Sequence, residues 1–194
     1  MSIKIGIAGP VGSGKTSIIE QLTNILKDKY TLGIVTNDIY TTEDANYLKS
    51  HLDLENERIV GVETGGCPHT AIRDDISANQ KAIEELEEKF HPDIIFVESG
   101  GDNLSATFSY ELIDYYMYVI DVAQGADIPR KKGAGLLFSD LLVVNKTDLA
   151  PYVEIDLNSM ENDVKENRKN KPYIFLSKKD ESISKLQEWI EVLV

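Results

Sequence analysis

Seven short runs of apolar and β-branched residues punctuate the chain: Ile3 to Ala8, Leu32 to Thr36, Ile59 to Val62, Ile94 to Val97, Tyr115 to Asp121, Leu141 to Asn145 and Tyr173 to Leu176. Such continuous runs predict buried strands. Between several of them the period changes to that of a helix. Ile18, Ile19, Leu22, Ile25 and Leu26 share one face, Ile72, Ile76, Ile83, Leu86 and Phe90 a second, and Ile183, Leu186, Ile190 and Leu193 a third. Alternating strands and helices call for an α/β fold in three layers, with a mostly parallel central sheet flanked by helices. In such sheets ligands sit outside the carboxyl ends of the strands, so loops distant in sequence meet at one rim. The polar stretch from Asn158 to Lys171 predicts an exposed helix and loop.

Length and charge narrow the picture. The 194 residues fit one domain, 1–194, with a core large enough to need neither disulfides nor structural metal. Twenty Lys and Arg stand against 33 Asp and Glu, a formal charge of −13, which argues against nucleic acid as a partner. The first strand begins directly after Met1 and Ser2, leaving no room for a secretion signal, and no run is long enough for a membrane span. The single cysteine, Cys67, forms no internal disulfide and suits a reducing interior. The expectation is a soluble cytoplasmic protein.

The first predicted strand runs into Gly9-Pro10-Val11-Gly12-Ser13-Gly14-Lys15-Thr16, and Ser17 and the first helical face follow. A glycine-rich turn between strand and helix lets successive backbone N–H groups converge on a polyphosphate. Lys15 adds a mobile positive charge and Thr16 a hydroxyl for Mg²⁺. A flexible turn explains the glycines but not the lysine and threonine at the helix start. The turn is read as the phosphate cradle of a P-loop NTPase fold.

Two later strand ends suggest which base and what chemistry. Leu141 to Val144 leads into Asn145-Lys146-Thr147-Asp148. A carboxylate at Asp148 can accept from N1–H and the 2-amino group of guanine, donors that adenine lacks. Lys146 is placed along the face of the base. Ser177 and Lys178 fit either a second loop beneath the base or an ordinary polar turn. Ile94 to Val97 leads into Glu98-Ser99-Gly100-Gly101-Asp102, where Glu98 can orient a Mg²⁺-bound water and the glycines let the loop approach a γ-phosphate. Asp102 reads more simply as an exposed charge or cap. Asp38 and Glu43, after the second strand, are placed near the metal. No glutamine or arginine sits in the Glu98 loop to position water or neutralise charge, so intrinsic hydrolysis is expected to be slow.

Cys67-Pro68-His69 follows Gly65-Gly66, a candidate hinge. Proline disfavours helix at Cys67, and in an extended segment positions i and i+2 point the same way, so thiolate and imidazole can address one ion. Two ligands make half a site, which a two-fold dimer would complete. Two sulfurs and two nitrogens suit square-planar Ni²⁺ or tetrahedral Zn²⁺, and ligand type alone does not choose. Separately, the cysteine would read as a small buried hydrophobe and the histidine as a surface or capping residue. His51 and His91 lack such a setting and read as structural.

Together these segments resemble the UreG family of urease accessory GTPases. The resemblance rests on Gly9 to Thr16, Thr36 to Thr41, Val62 to Arg73, Glu98 to Leu104 and Asn145 to Pro151, and it covers nearly the whole chain. It implies a GTP-dependent homodimer carrying Ni²⁺ between Cys67 and His69 of both subunits. The partners it implies are the urease accessory proteins UreF, UreH (or UreD) and UreE, and through them apo-urease. It also implies that Asp38 and Glu43 belong to a first switch segment and that Glu63 couples the metal motif to it. The chain departs from the pattern at Lys132-Gly133-Ala134-Gly135-Leu136-Leu137, where glycine-rich sequence with a proline is expected. A histidine-rich N-terminal extension is absent. The competing readings are a HypB-like nickel GTPase of hydrogenase maturation, a small-molecule kinase, and a nickel carrier in which GTP is only structural.

Overall fold

The computed structural model describes residues 2–38, 41–65, 68–101 and 106–194. Its centre is one sheet of seven strands: β1 (Ile3–Ala8), β2 (Leu32–Asp38), β3 (Ile59–Glu63), β4 (Ile94–Glu98), β5 (Tyr115–Asp121), β6 (Leu141–Asn145) and β7 (Tyr173–Phe175). Their order is β3-β2-β4-β1-β5-β6-β7, and every pairing is parallel, so the sheet goes beyond the mostly parallel one expected.

Along each strand successive side chains serve opposite faces. Ile5, Ile7, Ile34, Phe96, Val119 and Val143 pack with helices α1 (Lys15–Leu26), α2 (Glu43–His51) and α7 (Ile183–Glu191). Ala8, Val35, Ile95, Val97, Ile120 and Val144 face the other side. They pack with α3 (Pro68–Arg73), α4 (Ser77–Phe90), α5 (Ala134–Phe138) and α6 (Leu157–Arg168). With both faces covered, most of each strand reads as a continuous apolar stretch, Lys4 in β1 being an interruption. Burying a side chain the size of Val, Leu or Phe contributes about 1.5–3 kcal/mol, and these two clusters hold the sheet between its helices.

Two segments depart from expectation. The face from Ile72 to Phe90 is two helices rather than one, because the chain breaks at Asp74 to Ile76; there Asp75 Oδ1 accepts from the Ser77 N–H at 3.3 Å and from its hydroxyl at 2.6 Å. The stretch from Asn158 forms α6, but it is not simply exposed. Met160, Val164 and Arg168 are buried on one stripe. The Arg168 guanidinium donates to the carbonyls of Leu136, Ser139, Asp140 and Pro172 and to the Ser139 hydroxyl, fastening α5, β6 and β7 together. Burial lowers its pKa to about 10. In the atypical segment, a Cβ at Gly135 would run into the Tyr118 ring, which explains a glycine there. Among the described residues no helix is long and apolar enough to cross a membrane.

Candidate nucleotide site

The parallel sheet brings the ends of β1, β2, β4, β5 and β6 to one rim. β1 ends in the cradle, where the Ser13 N–H donates to the Pro10 carbonyl at 3.1 Å and closes the turn. Gly14 has φ 95°, and a Cβ there would collide with the Asn145 amide, so both backbone and space demand glycine. Lys15 is buried at the start of α1, its ammonium 3.4 Å from the Pro10 carbonyl. Gly101, at φ 62°, brings the loop after β4 over the cradle: a Cβ there would lie 2.8 Å from Val11 and 3.5 Å from the Lys15 ammonium. Together with Asp38, Glu43, Asp44 and Tyr47 these residues line an open cleft of ≈ 560 Å³.

Beneath the cleft the Thr16 hydroxyl donates to Glu98 Oε1 at 2.7 Å and lies 3.3 Å from Asp44 Oδ1. Glu98 is fully buried, and burial pushes its carboxyl up to about 7 against the opposing pull of Lys15. Asp44 is also raised, by burial and then by the charge of Asp38. Glu98 Oε2 has no hydrogen-bond partner among the described residues. A hydroxyl, crowded carboxylates and an unpartnered buried oxygen form a donor set that fits a hard divalent cation such as Mg²⁺, which takes one or two carboxylates together with phosphate and water.

At the other end of the cradle Asn145 Nδ2 donates to the Ser13 carbonyl at 2.9 Å. Lys146, at φ 59°, reaches back to the Gly12 carbonyl and forms an ion pair of 3.1 Å with Asp121 at the end of β5. Asp148 accepts from the Ser177 hydroxyl at 3.4 Å. Ser177 is therefore brought to the base motif, whereas Lys178 is exposed, and it is Lys179 that pairs with Asp148, at 3.5 Å.

Asp38 and Glu43 both line the cleft. Asp38 ends β2 opposite Glu63 on β3, and its side chain accepts from the Thr41 hydroxyl. Glu43 opens α2 exposed, and its neighbour Asp44, not singled out from the sequence, is the one at Thr16. Cys67, Gly66 and Asp102 lie outside the described residues. His69 lies in the first turn of α3, so the extended geometry expected through Pro68 does not continue to it: proline's fixed φ suits a first helical position. Gly65 precedes that segment at φ 60°. His51 stacks on Tyr47 and His91 closes α4 in a left-handed conformation. Among the described residues no three His, Cys, Asp or Glu side chains group as a metal centre.

The cradle, the carboxylates at β4 and α2 and the loop after β6 define a nucleotide-binding domain of the P-loop NTPase class. Residues 3–175 match the family described as CobW/HypB/UreG, nucleotide-binding domain. The chain is 83% identical to the urease accessory protein UreG of Aliarcobacter butzleri (strain RM4018) over 195 aligned positions, all of both chains. It is 58% identical to the UreG of Lysinibacillus sphaericus (strain C3-41), covering 97% of this chain and 91% of that one. Among solved structures, HypB from Helicobacter pylori in complex with nickel superposes with a TM-score of 0.79 at 21% identity, covering 97% and 85% of the two chains, a likeness of fold. The chain belongs to the CobW/HypB/UreG family, in its UreG branch.

Proposed function

We propose that the protein is a Mg²⁺-dependent GTPase that binds Ni²⁺ in a GTP-dependent homodimer and delivers it for assembly of the urease active site. One observation carries the nucleotide part: the loop bearing Asp148 is bonded to the phosphate cradle through Asn145 and Lys146, so base and phosphates meet one continuous surface. Gly9, Pro10, Val11, Gly12, Ser13 and Gly14 wrap the phosphates, Lys15 neutralises them, and Ser17 extends the cradle into α1. Asn145, Lys146, Asp148 and Ser177 take the base. Thr16 and Asp38 would hold Mg²⁺, with Asp44 beside Thr16 in the place expected of Glu43 and Glu98 behind them; when bound, the ion would draw negative charge off the transferring phosphate. Glu98 holds Thr16 and orients water at the γ-phosphate side. Hydrolysis is slow, because the loop after β4 brings neither glutamine nor arginine.

The metal part is supported by the names of the 83% and 58% identical relatives and by the nickel bound to the HypB neighbour. Cys67 and His69 of two protomers supply the ligand set, for Ni²⁺ or for Zn²⁺ in its place. UreF, UreH (or UreD) and UreE are the partners, apo-urease is the destination and the cytoplasm is the setting. The identity to UreG proteins favours this reading over a HypB-like role in hydrogenase maturation.

Molecular mass in solution, with Ni²⁺ and GTP added singly and together, tests the whole. A dimer only when both are present, lost in Cys67→Ala without loss of nucleotide affinity, is the expected result. Unchanged nickel stoichiometry in Cys67→Ala refutes it.

A further inference from the structure

Asn79, in the first turn of α4, is fully buried and plays no part in the site as described. Its amide is paired head to tail with that of Asn37, equally buried near the end of β2: Asn79 Nδ2 donates to Asn37 Oδ1 at 2.8 Å and Asn37 Nδ2 to Asn79 Oδ1 at 2.9 Å. The second N–H of Asn37 goes to the Glu98 carbonyl at 2.9 Å, and the second N–H of Asn79 to the Ala71 carbonyl at 2.9 Å. All four amide hydrogens are committed. A buried polar network with every member satisfied is rigid and specifies one arrangement.

The two ends of this chain of bonds differ in kind. Glu98 is the residue whose carboxylate holds Thr16 under the cradle. Ala71 lies in the last turn of α3, where carbonyls have no intrahelical partner and need one from outside. The next carbonyl, that of Ile72, accepts from the Ser109 N–H at 2.8 Å, and Ser109 lies downstream of the Gly100-Gly101 loop. The last turn of α3 is thus fastened directly at Ile72 to the chain downstream of β4, and at Ala71 through Asn79 and Asn37 to the Glu98 end of β4, and its first turn carries His69.

We propose that Asn79 is a positioning residue: through Asn37 it makes the placement of α3, and of His69 on it, follow the state of the Glu98 strand end. This rests on the nucleotide and metal reading above and names how one half of that site addresses the other. A displacement of the Glu98 backbone when the cradle fills cannot be absorbed by the amide pair, which has no spare donor, and is handed to the Ala71 carbonyl. With a side chain at position 79 that makes no such bonds, α3 would hold its place whether or not nucleotide is bound.

The test is hydrogen exchange of the α3 amides in the full chain, with and without a non-hydrolysable GTP analogue and Mg²⁺, in wild type, Asn79→Ala and Asn79→Asp. Asn79→Asp keeps size and acceptors but removes both N–H donors. In wild type the analogue should change α3 exchange about tenfold or more, in the range of ordinary site-to-site coupling. Both variants should bind the analogue within about threefold of wild type, below the usual scale of coupling, and show an α3 response of less than about twofold. A variant in which exchange rises equally in both states, with the analogue-dependent ratio intact, shows that Asn79 only staples the fold and overturns the proposal. So does a wild type that binds the analogue without any α3 response, a result that stands even where neither variant folds. An analogue that fails to bind overturns the nucleotide reading and this proposal with it; one that binds and leaves α3 unchanged overturns this proposal alone.

Discussion

The Thr16 hydroxyl and the Glu98 carboxylate meet at 2.7 Å under the cradle, and the burial of Glu98 raises its pKa to about 7. In the unfolded chain the same carboxyl loses its proton near 4.5. Between these values the folded, nucleotide-free protein holds a proton that the unfolded chain has released, so the contribution of Glu98 to stability falls as pH rises through this window and levels off above 7. Glu98→Gln removes the titration. The variant should gain on wild type between pH 5 and pH 8 by up to about 3 kcal/mol, taking 1.36 kcal/mol per pKa unit. Urea unfolding at the two pH values, without nucleotide or Mg²⁺, reads this out, and parallel losses in both proteins would remove Glu98 as the cause.

Asp148 is held by the Ser177 hydroxyl and the Lys179 ammonium. On the proposed reading, Asp148→Ala deletes the acceptor for two guanine donors. Charged hydrogen bonds contribute about 1.5–3 kcal/mol each, so GTP affinity should fall on the order of 10²-fold or more while ATP affinity changes little. Competition binding against a labelled nucleotide decides the matter; equal losses for both nucleotides would mean that Asp148 does not read the base.

Gly14→Ala puts a methyl group where Asn145 already is, at a backbone φ of 95°. The left-handed conformation alone costs roughly 1–2 kcal/mol, and the clash pushes the cradle off the loop after β6. Nucleotide affinity should drop more than about tenfold, against about 1.4 kcal/mol for each factor of ten, with only a modest fall in melting temperature. A variant that binds like wild type would show that the cradle does not need this contact.

Arg168 does not line the cleft and donates to four backbone carbonyls and a hydroxyl. Arg168→Ala strands those carbonyls, at about 1–3 kcal/mol for each buried group left unmade, and should destabilise the protein by about 3 kcal/mol or more with nucleotide affinity unchanged. Arg168→Lys should recover little, because a single ammonium cannot reproduce the planar fork. Denaturant midpoints paired with nucleotide titrations separate the two effects.

The strands were legible because a sheet covered on both faces leaves continuous apolar runs, and the cradle because glycine, lysine and threonine at that spacing have few other uses. Asp44 was not legible. Whether Glu43 or Asp44 turns towards Thr16 depends on where α2 begins, since neighbouring helical positions point about 100° apart. The pairing of Asn37 with Asn79 joins residues 42 positions apart and leaves no local periodicity to find. The stripe Met160, Val164, Arg168 did carry a helical period, but the surrounding charge made the segment read as wholly solvated. Pro68 misled in a different way: it restrains the residue before it yet starts a helix itself, so the same proline that argues for extended chain at Cys67 places His69 in α3.

The bond from Asn145 to the Ser13 carbonyl has a practical corollary for redesign. Replacing the segment from the last residue of β6 onward, to alter base choice on the proposed reading, would also pull out a strut that keeps the glycine turn in shape, so the transplant would be punished for a defect unrelated to base choice. A specificity swap on this scaffold has to leave Asn145 in place and work from Asp148 outward.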